Sequence, residues 1–334
     1  MTQTSFQVRQ CVNVKEAVAA HYAWAITEQW DAGKDGNDIK LAFYPTHSAG
    51  FLIGIVTEEE DREEGKVTNE KAVSCICGMK YDDGTGFLAL YIVGDASQRN
   101  KGYGIRVFNQ SLEDLSSSRW IGLNAVEEQV SNYQKSGFIL RGSITRFNGR
   151  KKKEDNNRAI TGASAIDIDR SHLFVEKLID RDHRSSGLYR PTFIKNWINY
   201  HESHGWALAL MHCQPGAEEK KVVGFGCMRP LASGAYRIGP LYADTLDYAV
   251  DLVTQLMGKV PDDAEFTTDS FMATPEINEL FQNKLGWSPV ATFYQMWRKG
   301  ADHSNEEDHE SHPPPFEAPM TKDGYYSVFS LEVG

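Results

Sequence analysis

The chain has 334 residues, 41% hydrophobic and 11% aromatic, which is enough apolar material for real cores and the length of two ordinary domains. Acidic residues outnumber basic ones by 46 to 35, a formal net charge of −11 that argues against a protein held to nucleic acid by phosphate contacts. The same balance suits a cationic or neutral small partner, or serves solubility alone.

In chain order, the first predicted element is a helix over VKEAVAAHYAWAITEQW, where Val14, Val18, Tyr22 and Ala25 recur at helical spacing. SAGFLIGIV and KAVSCICGMK read as strands around the acidic loop TEEEDREEG. DDGTG is turn chemistry and predicts a hairpin from KAVSCICGMK into FLALYIV. Both alternating faces of FLALYIV are apolar, as in a strand buried on both sides. A helix follows with Ile105, Phe108, Leu112 and Leu115 as its stripe. RWIGLNAV is a strand, EEQVSNYQKSG a short helix closed by Gly137, and FILRGSITRF a strand ending near Phe147. NGRKKKEDNNRA then breaks the periodicity. Its basic run, Arg150 to Lys153, is either a solvated linker or a contact to a ligand phosphate from across a cleft.

The second half opens with helices over SHLFVEKLIDRDH and PTFIKNWINYHESHG. Strands WALALMH, KVVGFGCMR and YRIGPLYA follow, then helix TLDYAVDLVTQLMGK, strand EFTTDSF, helix PEINELFQNKLG and strand ATFYQMWR. This is the order of the first half again. CGMK at Cys77 and GCMR at Gly226 stand 149 residues apart, as do KSGF at Lys135 and KLGW at Lys284, so an internal duplication is expected. The polar, proline-rich ADHSNEEDHESHPPPFEAP reads as a loop, after which GYYSVFSLEV has strand character and docks back.

Cys11, Cys75, Cys77, Cys213 and Cys227 are few, odd in number and mostly set in apolar runs, so a reduced, cytoplasmic protein is expected. Cys75 and Cys77 share a strand face and read as small buried hydrophobes rather than a metal pair. His303, His309 and His312 fit no compact ligand set, HESH at His201 is not H-E-x-x-H, and no metal is expected. MTQTSFQVRQ lacks the apolar centre of a signal peptide and no apolar run is long enough to cross a bilayer, so no membrane partner is expected.

The informative stretch is QRNKGYGIRVF, Gln98 to Phe108, which sets two glycines and three cations between a strand and a helix. Amides of such a turn lack intrahelical partners, the helix dipole adds partial positive charge, and glycine lets a phosphate come close. The P-loop pattern is absent, and Val107 stands where a dinucleotide fingerprint needs glycine. What remains is Arg99-Asn100-Lys101-Gly102-Tyr103-Gly104, of the form [Arg/Gln]-x-x-Gly-x-[Gly/Ala].

With this motif after a doubly buried strand and before an amphipathic helix, the first ~140 residues resemble the GNAT superfamily of N-acetyltransferases. The resemblance implies an α+β fold: two tandem GNAT-like domains, each a mixed twisted sheet flanked by helices. Residues 5–149 would bind acyl-CoA, 150–160 link, and 161–334 form a degenerate copy with an acceptor-side or interface role. It further implies that Gln98, Arg99, Asn100, Lys101, Gly102, Tyr103 and Gly104 hold the pyrophosphate of acetyl-CoA as cosubstrate. Main-chain groups of Tyr91, Ile92 and Val93 would pair with the pantetheine arm. Asn124 would reach the cofactor or acceptor, Tyr133 would protonate the departing thiolate, and Asn132 and Lys135 would line the cofactor edge.

The implied reaction is direct attack of a primary amine of a small molecule on the thioester, with both substrates bound together. Two other readings stay open: a non-catalytic CoA-binding regulator, and an enzyme acting on a protein lysine or N-terminus. A homodimer is allowed. Many family members carry an acid on the strand matching Phe87–Val93, and this chain has none there. Asp82, Asp83, the acidic residues Glu58 to Asp61, or a group from the second half are the available substitutes, and deprotonation of the amine by bulk water stays open. Shifted by 149, Arg99, Gly102 and Gly104 fall on Tyr248, Asp251 and Val253, and Tyr133 on Gln282, so the second copy is expected to bind no CoA. Asp244, Asp269 and Glu276 would either read a cationic acceptor or cap helices.

Overall fold

A computed structural model describes residues 2–62, 65–152, 160–169, 174–213, 220–304, 315 and 324–333. Thirteen strands among them form a single sheet: β1 (Thr2–Gln10), β2 (Phe51–Arg62), β3 (Gly65–Lys80), β4 (Gly86–Val93), β5 (Trp120–Ala125), β6 (Ile139–Arg150), β7 (Ser164–Asp167), β8 (Trp206–His212), β9 (Lys221–Pro230), β10 (Tyr236–Ala243), β11 (Glu265–Phe271), β12 (Ser288–Lys299) and β13 (Tyr325–Ser327). Their order is β1-β2-β3-β4-β5-β12-β6-β11-β10-β9-β8-β7, with β13 added on β10. The helices are α1 (14–27), α2 (39–46), α3 (Tyr103–Asp114), α4 (Glu127–Lys135), α5 (Phe174–Ser186), α6 (Pro191–His204), α7 (Leu246–Met257) and α8 (275–284).

The mixed sheet and its helices match the expected class, and the order exposes what periodicity could not. Each half gives its last strand to the other: β12 lies against β5, and β6 lies against β11. The two meet as an antiparallel pair in which Ile144 faces Phe293, Thr145 faces Thr292 and Ser143 faces Tyr294. Ile144 and Phe293 are themselves 149 residues apart, so a pseudo-twofold axis passes between them. The sequence divides near residue 150, but the sheet does not.

β4 is buried on both faces. Phe87 and Ile92 enter the core that α1, α2, α5, α6 and the C-terminal segment share, while Leu88 packs on the other face with α3. The hairpin predicted at DDGTG is present, with Gly84 at φ +81°. The α3 stripe is rotated from expectation. Val107, Phe108, Ser111 and Leu115 face inward, and Ile105 is 49% exposed. Gly78 on β3 explains the choice, because a Cβ there would press on Ser111 and Leu115. β1 and β7 have too little apolar alternation to be seen in advance, being edge strands held by β2 and β8. TEEEDREEG is not a separate loop but mostly the outer ends of β2 and β3.

Candidate active site

β4 and β5 run parallel and pair at Gly86–Ile121, Phe87–Gly122 and Leu88–Leu123, then part. A bulge follows at once in β4, where Leu90 takes φ +50°. Beyond it Tyr91 and Asn124 line a cavity of about 130 Å³ with Tyr133, Phe108, Phe293, Arg146, Arg237, Asp31 and Glu332. The sequence-derived residues Tyr91, Asn124 and Tyr133 are therefore brought together.

At the outer end of β4 the chain forms a short turn at Ala96–Gln98, with Asp95 accepting from the Ser97 amide, and enters α3 through Gly102. Asn100 at φ +63° and Gly102 at φ +82° fold this loop back on itself. A Cβ on Gly102 would have no atom within 4 Å, so the helix N-terminus is open for close approach. Gly104 is closed in: a Cβ there would come within 2.7 Å of the Tyr91 hydroxyl and 2.9 Å of Val93 Cγ2. Tyr103 stacks on Phe6 at 4.6 Å between centroids. Arg99 pairs with Glu28, and Lys101 donates to Gln98 at 3.2 Å. Ile92 turns its side chain into the opposite core and does not line the cavity. Asn132 and Lys135 sit on the exposed side of α4, Lys135 donating to Asn132 at 3.3 Å, and do not line the cavity.

Tyr133 packs between Phe108 and Phe138, at 5.8 and 6.1 Å. Burial, with Tyr91 adding to it, pushes its hydroxyl well above the ordinary tyrosine range. It stays protonated through neutral pH.

The base positions expected from the sequence are elsewhere. Asp82 accepts from the amide and hydroxyl of Thr192 at the start of α6, and Asp83 accepts from the Tyr189 amide. Glu58 and Glu59 lie far along β2, and the Glu60 and Asp61 side chains are outside the described residues. The carboxylates that do line the cavity are Asp31 and Glu332. Below them Asp269 is gripped by Arg146 at 2.7 and 3.0 Å and faces Arg237 at 3.6 Å. Burial acts to raise Asp269, but the two arginines outweigh it and hold the group below the usual carboxylate range.

The second half has the same opening in a different state. β10 and β11 pair at Tyr236–Phe266, Arg237–Thr267 and Ile238–Thr268, then part after a bulge. Here β13 fills the gap. It pairs with Leu241 and Tyr242 on β10, and the next residue's amide, Val328 N, donates to Asp269 O at 2.9 Å. The phosphate-type loop is also missing, since two residues, 244–245, join β10 to α7 where nine, 94–102, join β4 to α3. This corrects the uniform 149-residue register: Thr245, not Asp251, stands at the Gly102 position as helix cap. Asp251 lies inside α7 and takes the amides of Ile160 and Thr161 at 2.6 and 2.9 Å. Thr245 and Thr274 are the caps of α7 and α8, while Asp244 pairs with Arg181. Glu276 sits in the first turn of α8. The basic run does not face a phosphate site: Arg150 pairs with Glu265 and Lys151 is buried against Val260 O, with Lys153 outside the described residues.

No group of three or more His, Cys, Asp or Glu among the described residues could hold a metal; Cys75 and Cys77 are buried and free, and His309 and His312 lie outside the described residues. No described helix is long and apolar enough to cross a membrane.

Parted parallel strands, an open glycine-capped helix N-terminus and a tyrosine over the gap mark the first half, and the second half repeats only the parted strands. The model of an acetyltransferase (GNAT) domain matches residues 178–310. The chain is 26% identical over 278 residues to a holothin acyltransferase from Pseudoalteromonas sp. (strain SANK 73390), covering 82% of each. Its fold is shared with a Pyrococcus horikoshii protein, with a TM-score of 0.67 at 17% identity over 98% of this chain and 96% of that one. It is also shared with a tandem GNAT protein from the clavulanic acid biosynthesis pathway, at 0.59 and 10% over 89% and 99%. The match to a GNAT acetyltransferase domain thus falls in the second half, and the whole chain shares its fold with these two proteins.

Proposed function

We propose that the protein transfers an acetyl group from acetyl-CoA to a primary amine of a small molecule, and that the first half alone, residues 5–149, holds the cosubstrate. The observation that carries this reading is the contrast between the two openings. In the second half the edge of β10 at Leu241–Tyr242 is occupied by a strand of the chain itself. The equivalent edge of β4 has no strand paired to it beyond Leu88, and Tyr91 lines the cavity there. An extended pantetheine arm has the main-chain hydrogen-bonding reach of a strand and suits that edge. Gly102 leaves room for a pyrophosphate at the N-terminus of α3. The second half, with its groove filled and its loop shortened, serves as the acceptor-side wall through Arg237.

In this reading the amine nitrogen attacks the thioester carbon, the carbon–sulfur bond breaks, and Tyr133 gives its proton to the departing sulfur. Amides along β4 polarise the carbonyl as charge develops on its oxygen. The small, mixed-charge cavity favours a small acceptor over a protein tail.

Two measurements test it. Calorimetric titration with acetyl-CoA is expected to give one site per chain. Thiol release is then followed with holothin, phenylalanine, spermidine and glucosamine as amines; holothin joins the panel because of the relative that carries its name. Release with at least one amine is expected. Tight binding with no release from any of them would favour a CoA-binding regulator.

A further inference from the structure

The cavity contains a carboxylate that neither repeated sheet unit supplies. After β13 the chain crosses toward the first half. Phe329 is fully buried, Arg229 holds Phe329 O at 3.3 Å and Ser330 Oγ at 3.1 Å, and Val333 O accepts from Tyr81 and Arg190, both at 2.6 Å. Anchored on both sides, the segment turns Leu331 and Glu332 into the cavity. Ser330 donates to the Glu332 carboxylate, and Asn124 Nδ2 holds Leu331 O at 2.8 Å. Among the described residues Asn124 Oδ1, the other end of that amide, is buried with no hydrogen-bond partner. A buried acceptor beside a cavity calls for a donor on the ligand. β4 offers no acid for this purpose.

We propose that Glu332 is the base that takes the acceptor amine's proton, with Asn124 Oδ1 accepting a second N–H so that the lone pair points at the thioester. The proposal rests on the acyl-transfer reading above. The step balances: nitrogen forms the new bond to carbon, the carbon–sulfur pair leaves with sulfur, Glu332 gains the nitrogen's proton, and Tyr133 supplies one to sulfur. Solvent returns a proton from Glu332 to Tyr133 between turnovers.

The groups around Glu332 are Arg146 from β6, Arg237 from β10, Asp31 from the loop after α1, Asp38 at the start of α2 and Arg229 through Ser330, with Asp269 beneath the two cavity arginines. A counter-ion to those arginines is the competing role, and the test separates the two.

Glu332→Gln keeps the shape and an oxygen for Ser330 but cannot take a proton at neutral pH. With the fastest amine of the panel, kcat/KM at pH 7 should fall by roughly 100-fold. The deficit should shrink as pH rises toward the amine's own pKa, ~10, where free amine replaces the base. Glu332→Asp should recover part of the loss, and acetyl-CoA affinity and the thermal midpoint should be unchanged. A pH profile identical to wild type overturns the proposal. So does a pH-independent drop accompanied by a lowered thermal midpoint, which is the counter-ion result. If wild type binds acetyl-CoA but releases thiol with no amine, the acyl-transfer reading falls and takes this one with it.

Discussion

Asn124 donates to the carbonyl oxygen of Leu331 at 2.8 Å, tying a central strand of the first half to a residue 207 positions away. The hydrogen bond fixes the amide's orientation and leaves Oδ1 buried, with no partner among the described residues. Asn124→Ala removes both functions at once. Net loss of the bond costs about 1 kcal/mol of stability. The expected kinetic effect is larger, a rise in KM for the amine with a smaller drop in kcat, while acetyl-CoA affinity measured by calorimetry holds. A parallel loss of acetyl-CoA affinity would put Asn124 on the cofactor side instead.

The two glycines of the loop fail for different reasons when replaced. Gly102→Val puts a β-branched residue at φ +82°, a conformation that costs about 1–3 kcal/mol, and places methyls where the amides are now open. Gly104→Leu collides with Tyr91 and Val93 on β4. Both should abolish acetyl-CoA binding in calorimetry. Asp251→Asn is the contrasting variant. It weakens the bonds that hold the Ile160–Thr161 segment to α7, so it should lower the unfolding midpoint and leave acetyl-CoA affinity intact.

Tyr133→Phe preserves the packing against Phe108 and Phe138 and removes only the hydroxyl. The expected result is a kcat lower by about 10²-fold or more with little change in acetyl-CoA affinity. An unchanged kcat would leave sulfur to be protonated by water and Tyr133 as a packing residue.

How much of this was readable beforehand follows a physical line. Local signals survived. Gly102 needs positive φ, DDGTG needs a turn, and FLALYIV is buried on both faces because its neighbours cover both. Signals that depend on distant chain did not survive. Nothing in FILRGSITRF or ATFYQMWR says that β6 and β12 exchange places, because either strand satisfies the alternation in either half. The bulged opening of the second half is occupied by YYS, a segment whose partner is decided only in three dimensions. Glu332 was invisible for the same reason: SLEVG has no motif, and its carboxylate reaches the cavity because Phe329 and Val333 are buried on either side of it. Arg237 offered a weak hint, being the one charge on the otherwise apolar YRIGPLYA, whereas Arg146 shares its strand with Arg141 and Arg150. The assumption of one repeat offset was the costly error, since the connection from strand to helix changed length although β4 and β10 are both eight residues long.

The last prediction concerns stability. His201 in α6 is buried beneath Trp197, with Nδ1 2.7 Å from Trp197 O and, among the described residues, Nε2 unpartnered. Burial pushes it down to about 3. An unfolded histidine titrates near ~6.5. Between those values the unfolded chain binds a proton that the folded chain refuses, so stability is full above pH 6.5 and falls as pH drops toward 3. His21 is shifted the same way, again by burial. At about 1.4 kcal/mol per pH unit for one such group, His201 alone should remove roughly 2 kcal/mol between pH 6.5 and 5. Urea midpoints measured at pH 8, 6.5 and 5 should hold between the first two and decline at the third. His201→Asn should be less stable at pH 8 yet lose less on acidification, because the group that takes the extra proton on unfolding is gone. A wild-type midpoint that is flat down to pH 5 would mean that His201 reaches solvent or is already charged in the fold.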